Sequence, residues 1–263
     1  MADGVKETFD AVADEYDAVG VDFFRPIARG LVKALDIRPG ERVLDVGCGK
    51  GAALVPAAEA AGSATGIDLS PRMVELAKEA AAGLDVDVRV GDAMAPDVEG
   101  SFDVVCSSLV LFFLPDPAAA LAAWNGLLRD GGRVGVSTFG PYSESWQAVD
   151  DVFKPYLPRD LADPRTTGAE SPFASDEGVE RLVGSAGFTD VRTITHQLPV
   201  RFTDPDQWYR WSMSVGQRRM WMQVPEAERE GVREQAFDRL ELLRETDGHI
   251  GFEQTVRYTL ARR

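Results

Sequence analysis

Arg42-Val43-Leu44-Asp45-Val46-Gly47-Cys48-Gly49-Lys50-Gly51-Ala52 sets the terms for the whole chain. Val43, Leu44 and Val46 form a short apolar run interrupted by one carboxylate, which predicts a buried strand over 43–47. Gly47, Gly49 and Gly51 follow directly, and an alanine-rich segment then predicts a helix over 51–61. Glycines turn the backbone sharply and let it approach a ligand closely. The helix start behind them offers unpaired N–H groups and the positive end of a dipole, so a ligand with an anionic group is implied. Gly47-x-Gly49-x-x-Ala52 also fits the loose dinucleotide fingerprint, with Asp68 close to the ~20-residue spacing of a ribose-binding acid. An NAD(P)-dependent oxidoreductase is therefore one candidate.

Outward from this stretch the chain alternates. Strands are predicted over 64–68, 86–90, 102–107 and 133–138, and helices over 71–82 and 117–128. Alternation of this kind means a parallel sheet covered on both faces. Pro56 lies inside the 51–61 helix and implies a kink or a late start. A helix over 176–187, a sixth strand over 189–198 and a last strand over 254–261, with Val256, Tyr258 and Leu260 alternating, complete the core. Ahead of it, Val5, Phe9, Val12 and Tyr16 show helical spacing, and a second helix runs through Pro26 to about Leu35.

Two segments interrupt the core. Residues 140–172 hold five of the fifteen prolines and read as an irregular excursion. Residues 203–247 open on Asp204-Pro205, a helix cap and first turn; Trp208, Trp211 and Val215 share one helical face, and Val232, Ala236, Leu240 and Leu243 share another. Both leave from the carboxyl ends of strands, where ligands bind in open α/β sheets, which marks them as a substrate cap. The expected division is a lid at 1–36, a core at 37–139, a cap insertion at 140–173, more core at 174–202, a helical cap at 203–247 and the last strand within 248–263.

Composition narrows the partners. Against 28 Lys+Arg stand 43 Asp+Glu in 263 residues, and a net charge of −15 disfavours nucleic acid and anionic membranes. Cys48 and Cys106 are the only cysteines and imply no disulfide framework, and with no run of about 18 apolar residues the expectation is a cytoplasmic monomer or homodimer. His196 and His249 are too few and too far apart to suggest a metal site.

The fuller series is Asp45-x-Gly47-x-Gly49-x-Gly51, then Gly66-Ile67-Asp68-Leu69-Ser70, Gly91-Asp92-Ala93, Phe102-Asp103 to Ser108, and Leu127 to Gly132. In that order it resembles the class I S-adenosylmethionine-dependent methyltransferases of the small-molecule branch, from about Ile37 to Thr138 and more weakly to Arg263. The resemblance implies a doubly wound α/β fold: a seven-stranded mixed sheet whose last strand is antiparallel, inserted between the fifth and sixth, with helical cap insertions. It implies transfer of a methyl group from S-adenosylmethionine to an O, N or C atom of a mostly apolar small molecule. A cofactor binder doing non-methylating chemistry such as cyclisation is the further alternative.

The site residues follow by matching positions. Gly47, Gly49 and Gly51 would take the methionyl part, with Asp45 near its amine. Asp68 would hold the ribose hydroxyls, and Asp92 the adenine amine with Ala93 and Met94 beside it. Leu69 and Met73 would touch the ring, and Ser107 and Ser108 would border the methyl. Tyr16, with Asp17, stands where relatives place a residue over the cofactor. Tyr142, Trp208, Trp211, Met220 and Trp221 are the substrate-binding candidates in the cap, an aromatic and thioether supply suited to an apolar ligand. Arg218 and Arg219 read as a solvated face, with the anchoring of an acidic substrate as the sharper alternative.

Base-modifying relatives carry Asn/Asp-Pro-Pro-Tyr or Pro-Cys after the fourth strand, and this chain has Ser107-Ser-Leu-Val-Leu111. Many small-molecule relatives read Leu-His-His-Leu-Pro-Asp at the next turn; here Phe112 and Phe113 replace both histidines. Catalytic residues thus stay unassigned, with Tyr16 and His196 the candidates. A lost general base costs typically ~10²–10⁴ in rate. His196→Ala and His249→Ala are each expected to lower kcat by less than about tenfold in steady-state kinetics, while packing changes at Trp208 or Trp211 cost more.

Overall fold

The computed structural model describes residues 13, 14, 16, 19–141, 143–158 and 171–263. The expected helix before residue 13, Asp17 and Tyr142 lie outside them. The strands are β1 (Val43–Val46), β2 (Ser63–Asp68), β3 (Asp85–Val90), β4 (Phe102–Ser108), β5 (Leu128–Phe139), β6 (Thr189–Phe202) and β7 (Ile250–Arg262). They form one sheet in the order β3-β2-β1-β4-β5-β7-β6. Only β7 runs against its neighbours, and it lies between β5 and β6. The chain winds outward from β1 to β3 and then returns to the other side of β1 as β4, so a crevice opens beyond the carboxyl ends of β1 and β4.

Alternation along the strands builds the two layers. Val43 on β1 and Val104 and Cys106 on β4 face a core shared with α1 (Phe24–Leu35), α2 (Leu54–Ala61) and α3 (Pro71–Ala80). Leu44, Val46 and Val105 face the opposite core, under α4 (Pro117–Leu127) and α6 (Asp176–Ser185). Side-chain caps start most of these helices: Ser70 for α3, Asp116 for α4 and Ser175 for α6, two of the three with proline next in line.

Helix α1 buries Ile27, Ala28, Leu31, Val32 and Leu35 and packs on β4, β5 and β7. It is thus a core helix, while Phe24, Arg25 and Arg29 on it line a cavity with the glycine turn. Arg133 of β5 ties its end down, donating to the carbonyls of Leu35 and Asp36 and to both oxygens of Glu41. That bidentate pair holds the Glu41 carboxyl down at about 2.

Four elements differ from expectation for identifiable reasons. Helix α2 starts at Leu54, because Gly51 has φ 89°, a left-handed conformation no helix accommodates. Strand β5 begins at Leu128, with Gly131 at φ 72° absorbing the irregularity in its pairing with β4. Strand β6 continues through Pro199 to Phe202; as the edge strand it needs no amide on its outer side. The proline-rich excursion contains a helix, α5 (Glu144–Asp150), capped by Ser143 and held by the buried Trp146 and Val149. Helices α7 (Pro205–Ser214), α8 (Arg218–Trp221) and α9 (Arg229–Glu241) form the second excursion. No helix among the described residues is long and apolar enough to cross a membrane.

Where α1 crosses β7 the contact is too close for any side chain but hydrogen. A Cβ at Gly30 would overlap the hydroxyl and ring of the buried Tyr258. Gly30→Ala should cost about 1–3 kcal/mol of stability in urea unfolding, and Tyr258→Phe in the same chain should recover only part of it.

Candidate functional site

The glycine turn is held open by its own backbone chemistry. Gly47, Gly49 and Gly51 have φ of 71°, 51° and 89°, the region glycine enters without penalty. The Gly47 and Cys48 amides both donate to the Ile67 carbonyl at the end of β2, at 2.8 and 2.9 Å. Asp68 then joins the two ends: its carboxylate accepts the Gly49 amide at 2.8 Å and the Ser70 amide at 3.0 Å. A side chain at Gly47 would run into Val110, whereas one at Gly49 would meet only open space.

Two adjoining cavities of about 220 and 420 Å³ share Tyr16, Phe24, Gly47, Gly49 and Ser108. Asp68, Leu69, Met73, Asp92 and Ala93 line the first, and Asp45, Gly51 and Lys50 the second. Tyr16 stacks on Phe24 with ring centres 4.7 Å apart, and its carbonyl accepts from the Lys50 ammonium at 2.7 Å. The N-terminal segment is thereby fastened to the turn. Asp92 accepts the Met94 amide at 2.8 Å, and the Ala93 carbonyl accepts from the buried Trp124 indole at 2.7 Å. Trp124 had no signal in the sequence, because a tryptophan in an alanine-rich helix reads as core.

Asp45 is 1 % exposed, and neither of its carboxylate oxygens makes a hydrogen bond among the described residues. Burial first, and then the charge of Asp68, push its carboxyl up to about 7. The nearby Cys106 thiol and Leu54 amide offset only part of this. Burial likewise pushes both thiols, Cys48 and Cys106, up, so neither is a nucleophile at neutral pH. Ser107 faces away from the cavities: it is 1 % exposed and donates to the Val46 carbonyl at 2.7 Å. Ser108 does line them, its hydroxyl paired with that of Ser137 at 2.8 Å. Leu109 beside it has φ 61°, a costly conformation for leucine that sits on the cavity wall.

Above the turn, phenyl rings wall the first cavity. Phe23, Phe24, Phe112, Phe113 and Phe139 line it together with Trp211 and Met220. Phe112 and Phe139 stack at 5.5 Å, and Phe23 meets Trp211 edge-on at 5.1 Å. Trp208 and Trp221 lie elsewhere. They pack against each other at 6.2 Å inside the cap, with the Trp221 indole donating to Ser212 at 2.8 Å. Their bulk goes into the cap's core instead of the cavity wall, since α7 turns Trp211 toward the sheet. Met94 faces the second core, His196 stands exposed on β6 beside Tyr258, and neither lines either of these two cavities. Phe112 and Phe113, flagged only as histidine replacements, are part of the wall.

A sequence profile described as "Methyltransferase domain" matches residues 44–136. The chain is 37% identical to a nocamycin O-methyltransferase of Saccharothrix syringae, over 96% of this chain and 95% of that one. It is 40% identical to the aklanonic acid methyltransferase DauC of a Streptomyces species, over 60% of this chain and 74% of the other. Among solved structures, the magnesium protoporphyrin IX methyltransferase of Synechocystis PCC 6803 with bound SAH superposes over 100% of both chains with a TM-score of 0.60 at 17% identity, a likeness of fold alone.

Asp45 gives the site a measurable pH signature. The unfolded chain releases this proton near 3.8 and the folded protein near 7, so between those values the folded state holds the extra proton. The contribution is fully present below about pH 4 and is lost as pH rises toward 7. Urea unfolding of the ligand-free wild type is expected to show that decline relative to Asp45→Asn; parallel pH profiles for the two proteins contradict it.

Proposed function

The chain belongs to the class I S-adenosylmethionine-dependent methyltransferases that act on small molecules, and from that premise we propose that it methylates an oxygen of a ring-bearing, mostly apolar acceptor. The observation that carries the oxygen is the 37% identity, over 96% of this chain, to a relative named as an O-methyltransferase. Of the two serines, Ser108 lines the cavities and is paired with Ser137, and Ser107 points away from them to Val46. No imidazole lines either cavity among the described residues, which suits an acceptor that is nucleophilic once ionised, as phenols, enols and carboxylic acids are. The relatives named as an O-methyltransferase and as acting on aklanonic acid support the same reading. Neither the oxidoreductase nor the non-methylating alternative has such support.

The residues fit the donor. Asp45, buried with two unpaired oxygens, would take an ammonium; the exposed Arg25 and Arg29 and the half-buried Lys50, all lining the same cavity, would take a carboxylate. Asp68 would take a diol, and Leu69, Met73 and Ala93 a planar ring. When bound, S-adenosylmethionine supplies a methyl group already activated by its sulfonium. The protein's own part is orientation in a water-poor cavity, for which about 7–11 kcal/mol is available in favourable cases. Residues 203–247, with 140–173, are assigned as the cap that provides this. The two buried free cysteines and the acidic charge accord with a cytoplasmic setting, without nucleic acid.

Incubation with S-adenosylmethionine and a panel of phenolic, enolic and carboxylic polycyclic compounds should yield methyl ethers or esters by mass spectrometry. Turnover confined to amines would sink the reading. Asp68→Ala is expected to weaken S-adenosylmethionine by roughly 1.5–3 kcal/mol per bond lost in calorimetry. Because Asp68 also closes the turn, its melting temperature should fall as well.

A further inference from the structure

The first cavity is apolar except at two ends. At the turn stand Asp68 and Asp92, which suit the hydroxyls and amine of the methyl donor. At the cap stands Arg219, the only lysine, arginine or histidine among the described residues lining this cavity. Its neighbour Arg218 is turned to the Met213 carbonyl, at 3.5 Å. The Arg219 side chain has no such partner among the described residues, although acids outnumber bases 43 to 28 in this chain. Two other residues that line the cavity carry unsatisfied polar atoms. Trp211 is 3 % exposed and its indole N–H has no hydrogen bond; Gln217 gives its amide to Asp150 at 2.6 Å and leaves its carbonyl oxygen without a donor. Both line the same cavity. A buried donor without an acceptor costs about 1–3 kcal/mol, so such groups mark where a ligand supplies what the protein lacks.

Resting on the methyl-transfer reading above, we propose that the acceptor is an aromatic carboxylic acid whose carboxylate is anchored at the cap by Arg219, with the Trp211 indole as second donor. A guanidinium fork matches the two oxygens of a carboxylate, and the phenyl rings of Phe23, Phe112 and Phe139 suit a planar body. The net charge of −15 repels an organic acid at long range, but salt screens that field beyond about 8 Å. At contact the local guanidinium decides. Arg219 is thus a specificity residue that selects acids over their neutral amides.

The test is calorimetry with the protein saturated in S-adenosylhomocysteine, comparing 2-naphthoate with 2-naphthamide. Wild type should bind the acid roughly tenfold tighter, Arg219→Gln should lose most of that preference, and Arg219→Lys should keep part of it. The preference should shrink as salt is raised, because the guanidinium is exposed. Trp211→Phe, with the S-adenosylhomocysteine affinity retained, should weaken the acid more than the amide. Equal affinities in wild type, an unchanged preference in Arg219→Gln, or binding of neither compound overturns the assignment. Failure to bind S-adenosylhomocysteine at all is a separate result, which removes the methyl-transfer reading beneath it.

Discussion

The Asp68 carboxylate, accepting the Gly49 and Ser70 amides at once, is the contact on which the site depends. It closes the glycine turn after β1 onto the end of β2 and sets the start of α3, whose own cap is the Ser70 hydroxyl. Hydrogen bonds to an ionised acceptor contribute roughly 1.5–3 kcal/mol each, enough to hold three left-handed glycines in one conformation. Preorganisation of this kind means the ligand meets a turn already shaped for it. The geometry also explains why a small residue is needed at two places for opposite reasons. Gly47 has no room for a side chain, while Gly49 faces the space a ligand enters.

A second carboxylate shows what the site withholds from stability. Asp45 sits one residue short of the end of β1, on the face covered by α1 and α2, and burial leaves it short of partners. Nothing in folding requires an acid there; a valine would satisfy the strand better. A buried acid lacking partners is costly, and such residues cluster where a ligand completes the environment. The left-handed Leu109 at the end of β4 is a second local cost, on the opposite lip of the same crevice. Both costs fall at the point where the strand order reverses, and the well-satisfied clamps, such as Arg133 on Glu41 and the buried Arg257 on the Phe139 and Phe173 carbonyls, lie away from it.

The cap is built on a different principle. Its aromatic side chains divide between holding the cap together and walling the cavity, with Trp146, Trp208 and Trp221 in the first role and Trp211 in contact with both. Its polar groups are few, and their placement against phenyl walls is what confers chemical character on an otherwise greasy space. Such a cavity discriminates by its rare unsatisfied donors and acceptors more than by its area.

Local signals determined much by themselves. The alternation of strand and helix specified a parallel doubly wound sheet, and the glycine spacing with Asp68 at the end of β2 marked the turn that borders both cavities, because turn geometry and strand ends depend on a few neighbouring residues. Period and punctuation cannot say which side of a helix meets which partner. Tertiary structure alone decided that Trp211 faces the cavity and Trp208 does not, that Ser107 turns inward to Val46 while Ser108 stays at the surface of the site, and that Phe139 meets both Phe112 and the sequence-distant Phe23. It also turned Arg219 to the cavity and Arg218 away. The physical reason is common to all of these. Each depends on packing between segments distant in sequence, and on which polar atoms that packing leaves without a partner.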